Sequence, residues 1–138
     1  MIAVPKLSDS RRLTGANLYW QQPAAIIDCA GEGDLGPFIG LWQDAVERLL
    51  SLLDRAESET TVRTFDGGAS LLISAPVDAL YSMCEVNEVA FAQAQALAAG
   101  ADLESLDDDL ERLRQEFAEE ANPPLLALQA EAKRQGVP

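Results

Sequence analysis

The sequence predicts an α+β domain, in which a small, mainly antiparallel sheet is covered by two long helices and followed by a C-terminal acidic helical hairpin. Three observations predict this fold: two strand-like runs joined by Asp66-Gly67-Gly68, long amphipathic segments at 37–56 and 77–99, and a leucine seam in an acidic stretch. An Asp-Gly pair between β-prone runs is a strong hairpin signal, because glycine tolerates the positive φ of such turns. With 138 residues, the chain is long enough for a single domain with one core.

The predicted sheet comes from the first half of the chain. Residues 1–22 are predicted to be irregular, because turn-forming residues such as Ser8-Asp9-Ser10 recur there. Residues 24–30 are a short apolar run ended by Gly31, which is typical of a buried strand. Residues 60–65 and 69–74 flank the Asp-Gly turn and complete an α/β core over 23–100.

Each of the two long helices has a proline at its start. Pro37 fits the first turn of the helix at 37–56, where its missing N–H costs nothing, and one side of that helix is apolar. The helix at 77–99 follows Pro76 and ends at Gly100, a C-terminal cap. Its apolar residues form two stripes, so we expect it to lie between other elements.

Residues 101–138 are predicted to form the acidic helical hairpin, with its helices within 102–135. Ser105 and Asp108 fit a capping box at the start of the first helix, and a proline turn at 123–124 separates it from the last one. Apolar residues follow steps of three and four along the first helix: Leu103, Leu106, Leu110, Leu113 and Phe117. Left uncovered, this seam would suit a homo-oligomer; alternatively, Leu125 and Leu128 of the last helix cover it.

The charge and the cysteines narrow the choice of partners and compartment. The net charge of -13 repels phosphate backbones and anionic lipid heads, so neither nucleic acid nor a membrane surface is an expected partner. The alternative is that the negative charge has no role in partner choice and only keeps the domain soluble. Two cysteines without a C-x-x-C pattern suggest free thiols, and no signal-like start or long apolar run is visible, which predicts a cytoplasmic location.

The common catalytic and nucleotide-binding arrangements are missing from the sequence. The chain has no histidine, which removes the commonest general base and most zinc sites, and it has no P-loop. Residues 31–36 spell G-x-G-x-x-G, but Glu32 and Asp34 would place negative charge beside a pyrophosphate. Asp107-Asp108-Asp109 lacks the spacing of a calcium loop. We therefore predict no catalytic residue, no metal ligand and no cofactor in this chain.

The most informative polar residues lie in the helix at 77–99. Glu85 and Glu88 share a helix face, with Asn87 between them. Glu88 falls on an apolar stripe, where an unpaired carboxylate is costly, and Arg63 is its expected partner. Two interpretations stay open, an internal ion pair or a surface for a ligand or partner. A carboxylate-based metal-binding enzyme is a less favoured alternative, because it needs further converging ligands.

The N-terminal segment adds aromatic residues to this candidate surface. Tyr19 and Trp20 are large side chains with polar atoms, as is typical of interface anchors. Together with Asn17 they complete a predicted partner-binding or ligand-binding surface: Asn17, Tyr19, Trp20, Arg63, Glu85, Asn87 and Glu88. The alternative is that the two aromatics close one end of the core.

Two stretches of the chain resemble a known family. Leu13-Thr14-Gly15-Ala16-Asn17, followed by Tyr19-Trp20, resembles the L-x-G-x-N element near the start of cyanophycin synthetases. The segment from Gly67 through Ser74-Ala75-Pro76 to Glu88 is similar to the N-terminal region of related Mur-ligase-family proteins. The resemblance implies a non-catalytic accessory domain that precedes an ATP-dependent, amide-forming ligase domain, with ATP and Mg²⁺ bound by that linked domain. The alternative is a free-standing acidic oligomerisation or protein-interaction module.

Overall fold

The computed structural model describes residues 2–14, 20–102 and 105–121. It confirms the predicted α+β fold with an antiparallel sheet. Along the chain, the elements are β1 (Lys6–Leu13), β2 (Ala24–Ala30), α1 (Gly36–Leu52), β3 (Thr60–Phe65), β4 (Gly68–Ser74), a 3₁₀ turn (Val77–Ala79), α2 (Leu80–Ala98) and α3 (Asp107–Glu120). Of the helices in the described residues, none combines the length and the apolar character that crossing a bilayer requires.

The sheet has the strand order β1-β2-β4-β3, and every neighbouring pair is antiparallel. The apolar strands β2 and β4 are central, in a register that places Ala25 opposite Ile73. Since successive side chains of a strand point to opposite faces, Ile27 and Leu71 face the helices. Ile26 and Leu72 face the other way, into a small second cluster with Leu13 and Trp20 packed against it.

Strand β1 corrects the prediction that residues 1–22 are irregular. Residues 6–13 are paired with β2, and the register shifts between Leu7 and Asp9, as at a β-bulge. β1 is a polar edge strand with mostly exposed side chains, so it lacks the apolar alternation that signals a strand. Backbone pairing and an ion pair tie it to β2, where Arg11 Nη1 lies 2.5 Å from Asp28 Oδ2, and the Arg12 guanidinium stacks 3.7 Å from the ring centroid of Tyr81 on α2.

The predicted hairpin between β3 and β4 is confirmed. Gly67 in its turn has a φ of 85°, which explains the need for glycine. Gly68 starts β4 opposite Phe65, and a Cβ atom there would collide with the carbonyl oxygen of Cys29 on β2. The two glycines therefore have different roles, one in the turn and one in the close approach of two backbones.

The two long helices cover one face of the sheet, as predicted. Helix α1 has a proline in its first turn and buries one side, which consists of Phe38, Trp42, Ala45, Val46, Leu49 and Leu50. Helix α2 lies over β2 and also contacts α1 and α3, which explains its two apolar stripes. The helix expected at 77–99 begins with a 3₁₀ turn before α2, and the one expected at 37–56 ends at Leu52.

Helix α3 packs its apolar seam inside the chain. Leu110, Leu113 and Phe117 are buried in the same core as α1 and α2, and the guanidinium of Arg55 stacks 4.3 Å from the ring centroid of Phe117. The predicted capping box is not formed. Leu106 is the N-cap, and the Ser105 hydroxyl accepts a 3.3 Å hydrogen bond from the Asp107 N–H.

The C-terminal end of α3 caps α2. The Glu120 carboxylate accepts hydrogen bonds from the backbone N–H groups of Tyr81 and Ser82, at 3.1 and 2.9 Å, and a third from the Ser82 hydroxyl. These N–H groups belong to the first turn of α2, where a negative charge is favourable. The second helix of the predicted hairpin, with Leu125 and Leu128, falls outside the described residues.

Candidate functional site

Asn87 is a core residue, which corrects its predicted place in a partner-binding surface. Its side chain has 0% exposure. Its Oδ1 accepts a hydrogen bond of 2.9 Å from the indole N–H of Trp42 on α1, and its Nδ2 donates to the carbonyl oxygen of Leu71 on β4 at 3.1 Å. A buried amide has to satisfy its polar atoms inside the protein, and Asn87 does so by joining both helices to the sheet. It therefore presents nothing to a partner.

Of the remaining predicted site residues, the structure describes Trp20, Arg63, Glu85 and Glu88. Glu88 is exposed on α2, so the expected need for a charge partner such as Arg63 does not arise; Arg63 itself is exposed on the edge strand β3. Trp20 packs against the small second cluster, on the face of the sheet away from α1 and α2. Asn17 and Tyr19 fall outside the described residues. The structure thus brings together two of the predicted residues, Glu85 and Glu88.

These two glutamates lie on the rim of an open groove of about 600 Å³ between α2 and α3, which we call the acidic groove. Its apolar floor is provided by α2 and consists of Val89, Ala92, Ala96 and Leu97. Acidic side chains surround this floor, two from α2, two from α3 and one from the connection between them: Glu85, Glu88, Asp109, Glu116 and Asp102.

Arg112 on α3 shares its charge among three of these carboxylates. Its Nε lies 3.7 Å from Glu85 Oε2 and 3.7 Å from Glu116 Oε1, and its Nη1 lies 3.4 Å from Asp109 Oδ1. All of these pairs are longer than a good charge-assisted hydrogen bond, and the Arg112 side chain is half exposed. One arginine at such distances neutralises only part of the charge on the rim.

Burial and a neighbouring carboxylate change the protonation of Glu116. Burial, together with the hydrogen bond to Glu85 and the charge of Glu85, raises the pKa of Glu116 to about 7, although Arg112 acts to lower it. Two carboxyl groups can hydrogen-bond to each other only when one of them holds a proton. Near neutral pH, Glu116 therefore takes up or releases a proton. A cation bound at the same place in the groove could take the place of that proton.

Gln93 contributes a second unusual feature of the same groove. Its side chain lines the groove, and its Oε1 atom is buried and finds no hydrogen-bond donor among the described residues. A buried acceptor without a donor costs free energy, and native proteins carry few of them.

The G-x-G-x-x-G loop lies in a second cavity of about 560 Å³, between residues 31–36 and the turn of the β3–β4 hairpin. Asp34 Oδ1 accepts a 2.9 Å hydrogen bond from the backbone N–H of Gly36 at the start of α1. A carboxylate thus occupies the position at the helix N-terminus where a phosphate would bind. Glu32 and Asp66 line the same cavity, and their charge is unfavourable for an anion.

Metal ligands were the basis of the less favoured enzymatic alternative. Within residues 2–14, 20–102 and 105–121, no three His, Cys, Asp or Glu side chains are placed to hold a metal ion together. The acidic residues of the groove are spread along its length instead, on two helices and a connection.

Sequence reasoning missed half of the acidic groove. Asp109, Arg112 and Glu116 are spaced by three and four, so they share one side of α3. That spacing was visible, but nothing in the sequence showed that this side faces Glu85 on α2. A comparison with protein-family models and a search of curated proteins find no match to the chain. The resemblance to Mur-ligase-family proteins therefore stays a prediction.

Proposed function

We propose that this chain is a non-catalytic accessory domain of an ATP-dependent, amide-forming ligase of the Mur type, and that it contacts another domain or protein through the acidic groove. The resemblance at residues 13–20 and 67–88 supports the ligase part of the proposal. The acidic groove supports the contact, because an open apolar floor with a charged rim has the makeup of an interaction surface.

The observation that carries the proposal is the contrast between Asn87 and its neighbours on α2. The side chain of Asn87 is fully engaged in internal hydrogen bonds, whereas Glu88 is exposed on the rim of an open groove whose arginine, Arg112, contacts Glu85, Asp109 and Glu116. Polar groups that stabilise the fold are satisfied internally, so the acids left facing solvent are available for a partner.

ATP and Mg²⁺ belong to the linked ligase domain in this proposal. The carboxylate of Asp34 at the start of α1 would repel a nucleotide phosphate from the glycine-rich loop of this chain. The proposal places the domain in the cytoplasm, where ATP is available and the free thiols of Cys29 and Cys84 stay reduced.

A reconstitution experiment tests the proposal. The catalytic core of a Mur-type ligase from the same organism is purified, and its association with the chain is measured by calorimetry. ADP release with a panel of amino acids is then measured with and without the chain. We expect association, and ADP release by the core but none by the chain alone. The proposal fails if the core and the chain do not associate, or if the isolated chain binds Mg-ATP and turns it over.

The free-standing oligomerisation module is the second candidate, and it makes a different prediction. It needs an apolar strip on α3, but Leu110, Leu113 and Phe117 are buried within the chain. We therefore expect a monomer in sedimentation at high micromolar concentration. A dimer in that experiment would favour the oligomerisation module over the accessory domain.

A further inference from the structure

The acidic groove has a shape as well as a charge. Its floor follows α2 from Val89 to Leu97, and Glu85 extends the rim by one further turn. At 1.5 Å per residue, residues 85–97 rise about 18 Å along the helix axis. This length matches about three turns of a second helix laid along the groove.

The charge determines which helix would fit. The described residues that line the groove include five carboxylates and one arginine, and that arginine already contacts Glu85, Asp109 and Glu116. Lysine or arginine side chains on an incoming helix would neutralise the carboxylate charge that Arg112 does not. The apolar floor requires that the same helix carry an apolar stripe, which a free metal ion or a polyamine does not have.

The charge and the apolar floor of the groove thus call for the same partner, a helix with cationic side chains beside an apolar stripe.

We propose that the acidic groove is the docking site for a basic amphipathic helix of about three turns, whose apolar stripe lies on Val89 and Leu97 and whose cationic side chains reach Glu88 and Asp109. This inference rests on the proposed function and names the chemistry of the partner. The helix belongs to the ligase protein, and its basic side chains recognise this strongly acidic domain.

Peptide titrations test this inference directly. A peptide of about fourteen residues with leucines on one face and lysines on the other is titrated against the full chain by calorimetry. A scrambled peptide of the same composition breaks the apolar stripe, and spermine and Ca²⁺ carry charge without one. We expect the amphipathic peptide to bind at least about tenfold more tightly than the scrambled one, because only the former buries its apolar face.

Two variants with matched controls locate the site. Glu88→Lys reverses an exposed rim charge, and Glu47→Lys makes the same change at an exposed position on α1, away from the groove. We expect Glu88→Lys to weaken peptide binding at least about fivefold and Glu47→Lys to weaken it less than about twofold. Ala92→Trp fills the exposed floor without changing charge, with Gln43→Trp on α1 as its control, and should also abolish most binding.

Several outcomes would overturn the inference. It fails if the scrambled peptide, spermine or Ca²⁺ binds as tightly as the amphipathic peptide, if Glu47→Lys acts as strongly as Glu88→Lys, or if Ala92→Trp leaves binding unchanged. The ligase core is titrated against the same variants. A core that binds the wild type and Glu88→Lys equally overturns the groove as the contact surface and leaves standing only the proposal that the chain is an accessory domain of the ligase. A groove that binds the peptide without any association of the core overturns the ligase assignment alone.

Discussion

At the scale of single residues, the most consequential side chain is Asn87. It fills a position in the core that an apolar residue could occupy, yet it hydrogen-bonds to Trp42 on α1 and to strand carbonyls of the sheet. Both long helices and the sheet thus meet at one amide. A buried polar group of this kind is costly to leave half-satisfied, so its loss should affect the stability of the whole domain.

We predict that Asn87→Leu destabilises the protein by about 1–3 kcal/mol, because the buried indole N–H of Trp42 loses its acceptor. Urea denaturation followed by circular dichroism measures this change. Removing the donor as well, in Trp42→Phe/Asn87→Leu, should cost less than the sum of the two single changes. Strict additivity in this cycle would show that the hydrogen bond contributes nothing.

Asp28 is the second residue whose role the sequence did not reveal. It accepts hydrogen bonds from Arg11 on β1 and from the Ser70 hydroxyl on β4, at 2.5 and 2.7 Å, and so ties three strands together on the face away from α1 and α2. Burial opposes its ionisation, but the bonds from Arg11 and Ser70 and the charge of Arg11 hold the pKa of Asp28 below its ordinary value.

We predict that Asp28→Asn lowers the free energy of unfolding at pH 7 by about 0.5–1 kcal/mol, a modest value because the pair is partly exposed. A depressed pKa stabilises the fold above the unfolded-state value near 4, and this contribution is lost as the pH falls through the lower folded-state value. The difference between wild type and variant should therefore shrink as the pH falls below about 4. Asp9→Asn, which removes a more exposed partner of Arg11, is the control and should have a smaller effect.

At the scale of elements, the predictable parts are those whose side chains are buried in a regular pattern. The sequence predicts strand β2, the β3–β4 hairpin and the apolar side of α1, because burial imposes a regular spacing of apolar residues on such elements. Strand β1 could not be predicted in this way, because seven of its eight residues pair with β2 through the backbone and most of its side chains lie in solvent. Only part of the acidic groove could be predicted. The spacing of the acidic residues along α2 and α3 is visible in the sequence, but the packing of these two helices against each other is not.

The start of β4 offers a test of the sheet. We predict that Gly68→Ala destabilises the protein by more than about 2 kcal/mol, because the added methyl group would collide with the Cys29 carbonyl on β2 and with the ring of Phe65. Gly40→Ala in α1 is the matched control: nothing lies within 4 Å of the added atom, and alanine favours a helix by up to about 1 kcal/mol. Equal melting temperatures for the two variants would contradict the close approach of β2 and β4.

At the scale of the whole molecule, α3 does two things that its sequence suggested separately. Its apolar side closes the core through Leu113 and Phe117, and its carboxylates line the acidic groove and cap α2 through Glu120. Part of the negative charge of the chain therefore has a local structural role at the α2–α3 contact. The raised pKa of Glu116 also makes the contact between α2 and α3 sensitive to pH.

We predict that the stability of the domain falls as the pH rises from 5 to 8, and that Glu116→Gln removes most of this dependence. In the folded protein, burial and then the hydrogen bond and charge of Glu85 raise the pKa of Glu116 to about 7. The other charged groups near Glu116 are Glu88 and Asp102 and, on α3, Asp109, Arg112 and Glu119. A raised pKa stabilises the fold below the unfolded-state value near 4.5, and this contribution is lost as the pH passes 7.

The pH window separates this effect from other titrations of the molecule. Asp28 acts below pH 4, and burial raises the pKa of the Cys84 thiol to about 11, so neither group titrates between pH 5 and 8. Because Glu116 is partly exposed, we expect a change of less than about 1 kcal/mol across the window. Urea denaturation at several pH values measures it, with Glu111→Gln on the exposed side of α3 as the control. A Glu116→Gln variant whose stability follows pH as steeply as the wild type would show that the two carboxyl groups do not share a proton, and that the groove carries less uncompensated charge than its geometry indicates.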